Sequence, residues 1–395
     1  MGRIWMPFAV CGLFMMLLLG LAGVACAMAP NGDELKIEAY SAILMEPISG
    51  EILFAKNEAV KLPPASVTKL MVMLLTMEAV ERGQIKLTDV ITASPEACKM
   101  GGSQIWLEPG EQMTVSELLK AVCIVSANDA SYALAEHLVG SEENFIALMN
   151  KRAAELGLKD THYVNTTGLE PDSGGTGNIT SAKDMARLAQ EMIKYPRVFQ
   201  WTGVWIDSLR GGKSFLRNTN NLVRFYRGCD GLKTGFTSEA GFCLVGTAKR
   251  DGVRLIAVAM KSATSKSRSQ DISKMFNYGF SQYRSAQVYQ GKEKIGLIKV
   301  FRGREKWLTA VVPHEVTAVV KRGQPGQIVK NVRLMPQISA PVRPGQKVGE
   351  ITILIDGKQS GLVDLVAAQE VKRASFLEIM NQIFQSIIDV TVGRP

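Results

Sequence analysis

The chain has 395 residues, of which 46% are apolar and 21% charged. That composition excludes an intrinsically disordered chain and is ample for a sizeable core. Lysine plus arginine number 46 against 37 for aspartate plus glutamate, a formal net charge of +9. The excess is spread along the chain, which argues against nucleic-acid binding and suits an anionic membrane or cell-wall surface.

The chain opens MGRIWMPFAVCGLFMMLLLGLAGVACAMAP. Arg3 is the one charge before Asp33, and the apolar run ends in Ala25-Cys26-Ala27. This pattern predicts a signal peptide over 1–27, cleaved after Ala27. An uncleaved transmembrane anchor is the rival, because the uncharged run is long enough to span. Gly12, Gly20, Gly23 and the small-residue end favour cleavage. A lipid on Cys26 has little support, since Gly23 stands where a larger aliphatic residue is usual. All three readings export the rest of the chain to the extracytoplasmic face of the membrane or the wall. Beyond the leader, Cys98, Cys123, Cys229 and Cys243 form no C-x-x-C pair and read as small core hydrophobes. His137, His162 and His314 are scattered and no H-E-x-x-H occurs, so a zinc site has no sequence support.

Residues 37–56 read as two short strands around a Pro47/Gly50 turn. After Pro63 and Pro64 a helix starts near Ala65, apolar on every face from Leu70 to Leu75, and ends at Gly83. Thr114 with Glu117 three residues on predicts a capped helix over Val115–Val122. Further helices are expected over Asp129–Leu138 and Glu142–Leu156. Residues 165–179 form a turn-rich loop, and Thr180 or Ser181 caps a helix ending near Lys194. Gly231–Phe236, Gly241–Lys249 and Val253–Lys261 read as antiparallel strands, with Asp251-Gly252 as a hairpin signal, before a helix over Ser267–Tyr283. Strands at both ends of a helical cluster give an α+β class, helices packed on one antiparallel sheet. This region is expected to be one domain, 35–285.

Composition shifts after Ser285. Residues 290–370 alternate apolar and polar with regular turns, among them Arg302-Gly303 and Asp356-Gly357, and a small all-β domain is expected over 286–371. In 374–391, Phe376, Leu377, Ile379, Met380, Ile383, Phe384, Ile387 and Ile388 form one wide helical face flanked by Lys372 and Arg373. Such an amphipathic helix suits a membrane interface, and equally a helix packed on its own domain.

Three triplets carry chemistry. Ser66-Val67-Thr68-Lys69 sets Ser and Lys one helical turn apart at a helix start. Unpaired N–H groups and the positive end of the dipole there favour an alkoxide and disfavour a charged lysine. A lysine in an apolar pocket beside other cations loses its proton near neutrality and can act as a base. The bland alternative, a helix-start serine with a surface lysine, fits poorly because Lys69 is the only charge in Ala65–Met77. Ser126-Ala127-Asn128 falls in a short break between helices. A hydroxyl and an amide there can relay a proton and hold an amide substrate, although simple capping explains them as well. Lys233-Thr234-Gly235 lies in a strand, where glycine is unfavourable unless something approaches the backbone closely. A lysine, a hydroxyl and a bare edge can hold a carboxylate beside an extended peptide; the alternative is an exposed strand with a solvated lysine.

Each triplet is ambiguous alone, but the ordered set matches the signature of β-lactamases and penicillin-binding proteins. PPASVTKLM, VSANDAS and DGLKTGFTSEAGFCLVGTAKRDGVRLIAV, with NTTGL and ITSAKDMARLA between them, resemble the serine D-alanyl-D-alanine carboxypeptidases, low-molecular-mass penicillin-binding proteins. The resemblance covers 35–285 closely and the β module and terminal helix more loosely. It implies Ser66 as the acyl-enzyme nucleophile, Lys69 as its base and Ser126 as proton relay to the leaving D-alanine. It implies Asn128, Lys233 and Thr234 as substrate-binding, along Gly235, with an oxyanion hole from the N–H groups of Ser66 and Phe236. The implied partners are the D-Ala-D-Ala end of a peptidoglycan stem pentapeptide, β-lactams as inhibitors, and a membrane surface through the last helix, with no metal or cofactor needed. The rivals are a β-lactamase-like hydrolase, with Glu170 as the loop acid to watch, and a non-catalytic penicillin-binding wall protein. A histidine triad is disfavoured because neither His137 nor His162 lies in a nucleophile elbow and G-x-S-x-G is absent.

Overall fold

The computed structural model describes residues 35–170, 175–324 and 326–381. The leader 1–27 and most of the terminal helix 374–391 lie outside the described residues. The chain starts with the expected hairpin, β1 (Ser41–Glu46) and β2 (Glu51–Lys56). A single 3-10 turn, Ala65–Thr68, then leads into α1 (Lys69–Glu81). Every residue of α1 from Lys69 to Ala79 is buried, which is why its sequence shows no polar stripe. β3 (Val90–Thr92), α2 (Pro95–Cys98) and β4 (Gln112–Thr114) follow. α3 (Val115–Val125) carries the capping box, with Thr114 accepting from Glu117 N and Glu117 accepting from Thr114 N. It runs three residues past the expected Val122, to a left-handed Ser126. α4 (Asn128–Val139) packs beside it, α5 (Glu142–Glu155) packs on α4, and α6 (Ala182–Met192) is capped by Ser181 rather than Thr180.

A helical turn α7 (Phe199–Thr202), the hairpin β5 (Ile206–Leu209) and β6 (Ser214–Arg217), and a turn α8 (Leu222–Phe225) bridge to the main strands. These short pieces left no trace in the sequence pattern, because three or four residues are too few for a period to show. β7 (Cys229–Thr237), β8 (Gly241–Arg250) and β9 (Val253–Ser262) then join the first hairpin in one antiparallel sheet of order β2-β1-β9-β8-β7. α9 (Ser265–Gln282) closes the unit.

Helices cover both faces of this sheet. On β9, Ile256, Val258 and Met260 enter the core shared with α1, α3, α4 and α6. Leu255, Ala257 and Ala259 enter a second core with Ile272, Met275 and Phe276 of α9. A strand buried on both sides reads as one apolar run, as 255–260 does. Each large side chain so buried contributes roughly 1.5–3 kcal/mol.

The β-rich region begins with β10 (Tyr283–Tyr289), which pairs with β13 (Val316–Lys321). The remaining strands are β11 (Lys294–Phe301), β12 (Trp307–Val311), β14 (Ile328–Leu334), β15 (Gln337–Ser339), β16 (Lys347–Ile355) and β17 (Lys358–Ala367). They form one sheet of order β14-β16-β17-β12-β11-β15. Its core holds Ile298, Val300, Leu308, Ile351, Ile353 and Leu365. The turns at Arg302-Gly303 and Asp356-Gly357 fall where the sequence put them. At the junction, Tyr283 donates its hydroxyl to Glu51 Oε2 at 2.6 Å, and Lys321 pairs with Glu51 at 2.7 Å. Among the described residues no helix is long and apolar enough to cross a membrane. The last described residues, 376–381, are helical.

Candidate active site

The 3-10 turn places Ser66 just before α1 and Lys69 at its first residue. Lys69 Nζ is 3.0 Å from Ser66 Oγ and donates to the Thr167 carbonyl at 2.7 Å. Lys69 is fully buried, and among the described residues it forms no ion pair, although the charge of Asp129 favours its protonated form. Burial holds its pKa well below the ordinary lysine value, and the charge of Lys233 pushes the same way. Ser66 therefore faces an amine that is easily left neutral. Neither His137 nor His162 bonds Ser66: His137 sits late in α4, and His162 pairs its backbone with Ile179.

Two close approaches fix this corner. Gly168 adopts φ +81°, and a Cβ there would lie 1.9 Å from the Ala65 carbonyl oxygen. Only glycine lets the 165–169 loop sit against the nucleophile turn and present Thr167 O to Lys69. Gly235 of β7 meets the same turn: a Cβ would stand 2.7 Å from Pro64 O and 3.1 Å from Ser66 N. The close neighbour that a strand glycine implies is thus the Ser66 turn itself.

Ser126 lies between α3 and α4 in a left-handed conformation, φ +65°. Its Oγ is buried and, like Asn128 Oδ1, has no hydrogen-bond partner among the described residues. Buried polar atoms are normally satisfied, and orphaned ones in a cleft are what a polar substrate would fill. Asn128 Nδ2 donates to Gly101 O at 2.6 Å, and Asn128 N to Ser103 O at 2.7 Å. On β7, Lys233 is buried and Thr234 Oγ1 bonds Thr219 Oγ1 at 2.7 Å. Burial brings Lys233 down to about 7. Arg268 of α9 is also buried, lowered to about 10 by desolvation, and its Nε has no hydrogen-bond partner among the described residues. The site is electropositive, and its cations are held back by missing solvent. Phe236 is more than half exposed and stacks on Phe242 with ring centroids 4.2 Å apart. Glu170 is exposed on its loop.

The structure thus brings Ser66, Lys69 and Gly235 into one corner, with Lys233 close enough to act on Lys69. The Asn128 amide borders the 101–103 loop, where a Cβ on Gly102 would touch both it and Leu169.

Against known proteins, residues 27–264 match the family described as D-alanyl-D-alanine carboxypeptidase, well over half of the chain. The chain belongs to that family. Residues 283–373 match the penicillin-binding protein 5 C-terminal domain. The chain is similar to the D-alanyl-D-alanine carboxypeptidase DacF of Bacillus subtilis, 41% identical over 89% of this chain and 90% of that protein. It is similar to DacA of Escherichia coli at 31%, over 88% and 87%. A peptidoglycan synthesis regulatory factor (PBP3) of Streptococcus pneumoniae shares the fold at TM-score 0.69 and 30% identity, covering 85% of this chain and all of that one. Penicillin-binding protein D2 of Listeria monocytogenes, solved with ampicillin bound, matches 62% of this chain and 99% of its own at TM-score 0.57 and 31% identity. The chain is a serine-type carboxypeptidase of the low-molecular-mass penicillin-binding class.

Sequence reasoning did not single out several groups around this carboxypeptidase site. The Thr167 contact is a backbone carbonyl, which no side-chain pattern announces. Asp129 is buried and accepts from Ile105 N, Leu107 N and Ala130 N, which ties the 101–107 loop to α4. Its place beside Asn128 was the available signal. Asn178 Oδ1 accepts from Val164 N and Asn165 N, and its Nδ2 donates to Thr68 Oγ1, locking the glycine loop to the nucleophile turn. Cys98, Cys123, Cys229 and Cys243 are free thiols, and the last three are buried.

Proposed function

We infer that this enzyme removes the terminal D-alanine from peptidoglycan stem pentapeptides through an acyl-enzyme on Ser66. The observation that carries the reading is the Lys69 Nζ to Ser66 Oγ contact of 3.0 Å, with Lys69 buried and its charged form disfavoured. Lys69 takes the Ser66 proton as Oγ attacks the penultimate D-alanine carbonyl. The N–H groups of Ser66 and Phe236 hold the tetrahedral oxyanion. Ser126 passes a proton to the departing amine as the C–N bond breaks, leaving an acyl ester. Water then attacks the ester, and Ser66 recovers its proton. Lys233 and Thr234 hold the terminal carboxylate, Asn128 the substrate amide, and Gly235 lets the edge of β7 lie beside the peptide. The orphaned Ser126 Oγ and Asn128 Oδ1 support these assignments. β-Lactams acylate the same serine.

The domains follow as an exported chain with leader 1–27, a catalytic unit 35–285, a β unit 286–371 and a membrane-associating helix 374–391. The enzyme works on the extracytoplasmic face of the membrane, with the helix holding it there.

The test is intact-mass spectrometry of mature chain mixed with benzylpenicillin, followed over time, together with D-alanine release from a pentapeptide. A persistent adduct mapping to Ser66, with D-alanine release, is expected. Rapid drug destruction without an adduct points to a β-lactamase-like hydrolase. An intact drug without adduct removes Ser66 from the mechanism.

A further inference from the structure

β11 and β12 present an outer face that their domain core does not use. Leu297 and Phe301 of β11 and Trp307 of β12 are each more than half exposed. Lys299 lies directly across from Trp307, on the same face. The Arg302 guanidinium sits over the Phe301 ring at 5.1 Å. The turn between the strands runs Arg302-Gly303-Arg304-Glu305-Lys306, so cations outnumber its one carboxylate. Aromatic rings flanked by lysine and arginine are the composition of a membrane–water boundary.

The same corner carries the start of the terminal helix. Ala374 N donates to Arg302 O, and Arg304 N to Lys372 O, both at 2.9 Å. Arg304 pairs with Glu378 at 3.3 Å. From that tether the helix begins, with Phe376 and Leu377 roughly four-fifths exposed and Met380 half exposed. The sequence continues with Ile383, Phe384, Ile387 and Ile388 at the same spacing. Lys372 and Arg373 add charge where the helix leaves the sheet.

We propose that the β11–β12 corner is a second membrane-docking surface, seating Phe301 and Trp307 in the interface of an anionic bilayer beside the terminal helix. Two features commit it to lipid rather than to a second copy of this chain. The face is basic, so two copies would repel each other across it. It also lies beside the helix start that carries the exposed Phe376 and Leu377, which Ala374 N and Lys372 O tie to the same turn. The inference rests on the reading of 374–391 as membrane-associating. It adds that the β unit stands on the bilayer through its own side chains, which fixes how the catalytic unit is held over the surface.

The test uses mature full-length chain and vesicles of equal parts phosphatidylcholine and phosphatidylglycerol. F301S/W307S is expected to weaken partitioning about tenfold, with the rate of penicillin acylation unchanged as a check on folding. Neutralising Lys299 or Lys306 is expected to cost about fivefold each at low salt, and nothing on pure phosphatidylcholine. Brominated lipids are expected to quench tryptophan emission in the wild type and much less in W307F. Wild-type partitioning and quenching in these variants overturn the corner while leaving the helix anchor in place. Failure of the unaltered chain to bind vesicles at all removes both. A dimer in sedimentation that F301S/W307S dissolves, with vesicle binding intact, makes the face a contact between copies and also overturns the proposal.

Discussion

Lys69 and Lys233 are two buried amines in one site, and among the described residues neither forms an ion pair with a carboxylate. For Lys69 the consequence is chemical. Both Lys69→Met and Lys69→Arg are expected to slow benzylpenicillin acylation by about 10²–10⁴-fold, since arginine keeps the charge but cannot give up its proton. Stopped-flow or gel-based adduct formation measures this, and near-normal acylation by the arginine variant ends the role of base. For Lys233 the consequence is a pH dependence of stability. Its folded value of about 7 lies below the ordinary 10.5. Between those values the unfolded chain binds the extra proton, so stability from this group rises with pH across the window. Lys233→Met removes the penalty. The variant is expected to melt higher than wild type at pH 6, and the gap to shrink as pH climbs from about 7 toward 10. Urea melts at several pH values decide it; a gap that is constant or widens with pH contradicts the burial argument.

At the scale of elements, the site exists because a 3-10 turn, a strand and a loop touch through glycines. Gly168→Ala adds a methyl at φ +81° into the Ala65 carbonyl. It is expected to destabilise the fold by about 1–3 kcal/mol and to displace Thr167 O from Lys69. Gly235→Ala pushes β7 away from Ser66 N with less change in stability, since its φ is ordinary. Acylation by Gly235→Ala is therefore expected to fall by at least about tenfold while its melting temperature moves by only a few degrees. Parallel melting and acylation measurements separate the two, and wild-type acylation by Gly235→Ala would show that the close packing is not needed.

For the molecule as a whole, Glu51 links the five-stranded sheet to the β10–β13 pair of the β-rich region. Burial pushes its carboxyl up, but the Lys321 and Tyr283 hydrogen bonds outweigh that and leave the pKa lowered. The stability this carboxylate adds is present above its unfolded value and lost as pH falls through the folded one. Glu51→Gln is expected to raise hydrogen exchange in β10 and β13 at neutral pH, and to leave D-alanine release from a soluble peptide unchanged. Unaltered exchange at β10 and β13 would falsify the idea that this carboxylate couples the units.

Much of this was legible along the chain. The three triplets are contiguous, so their chemistry survives in one dimension. Thr114 with Glu117 is a local cap, the strong turns are dipeptides, and the all-apolar 70–75 segment states its own burial. α3 ran past its expected end because Ile124 and Val125 pack against the fold, a tertiary gain that local pattern does not encode. The β5–β6 hairpin is too short to carry a period. The sequence by itself pointed to the α+β class, because that depends on local periodicity, and to the family, because its three triplets resemble that family's motifs in their order; it also named the residues expected to react. Only the tertiary structure decided that Lys69 is dry beside Lys233, that Thr167 supplies its carbonyl, that Asp129 ties down the 101–107 loop, and that Phe301 and Trp307 share a corner with the terminal helix. Desolvation and contact between distant segments are properties of three-dimensional neighbours, and a linear chain does not list its neighbours.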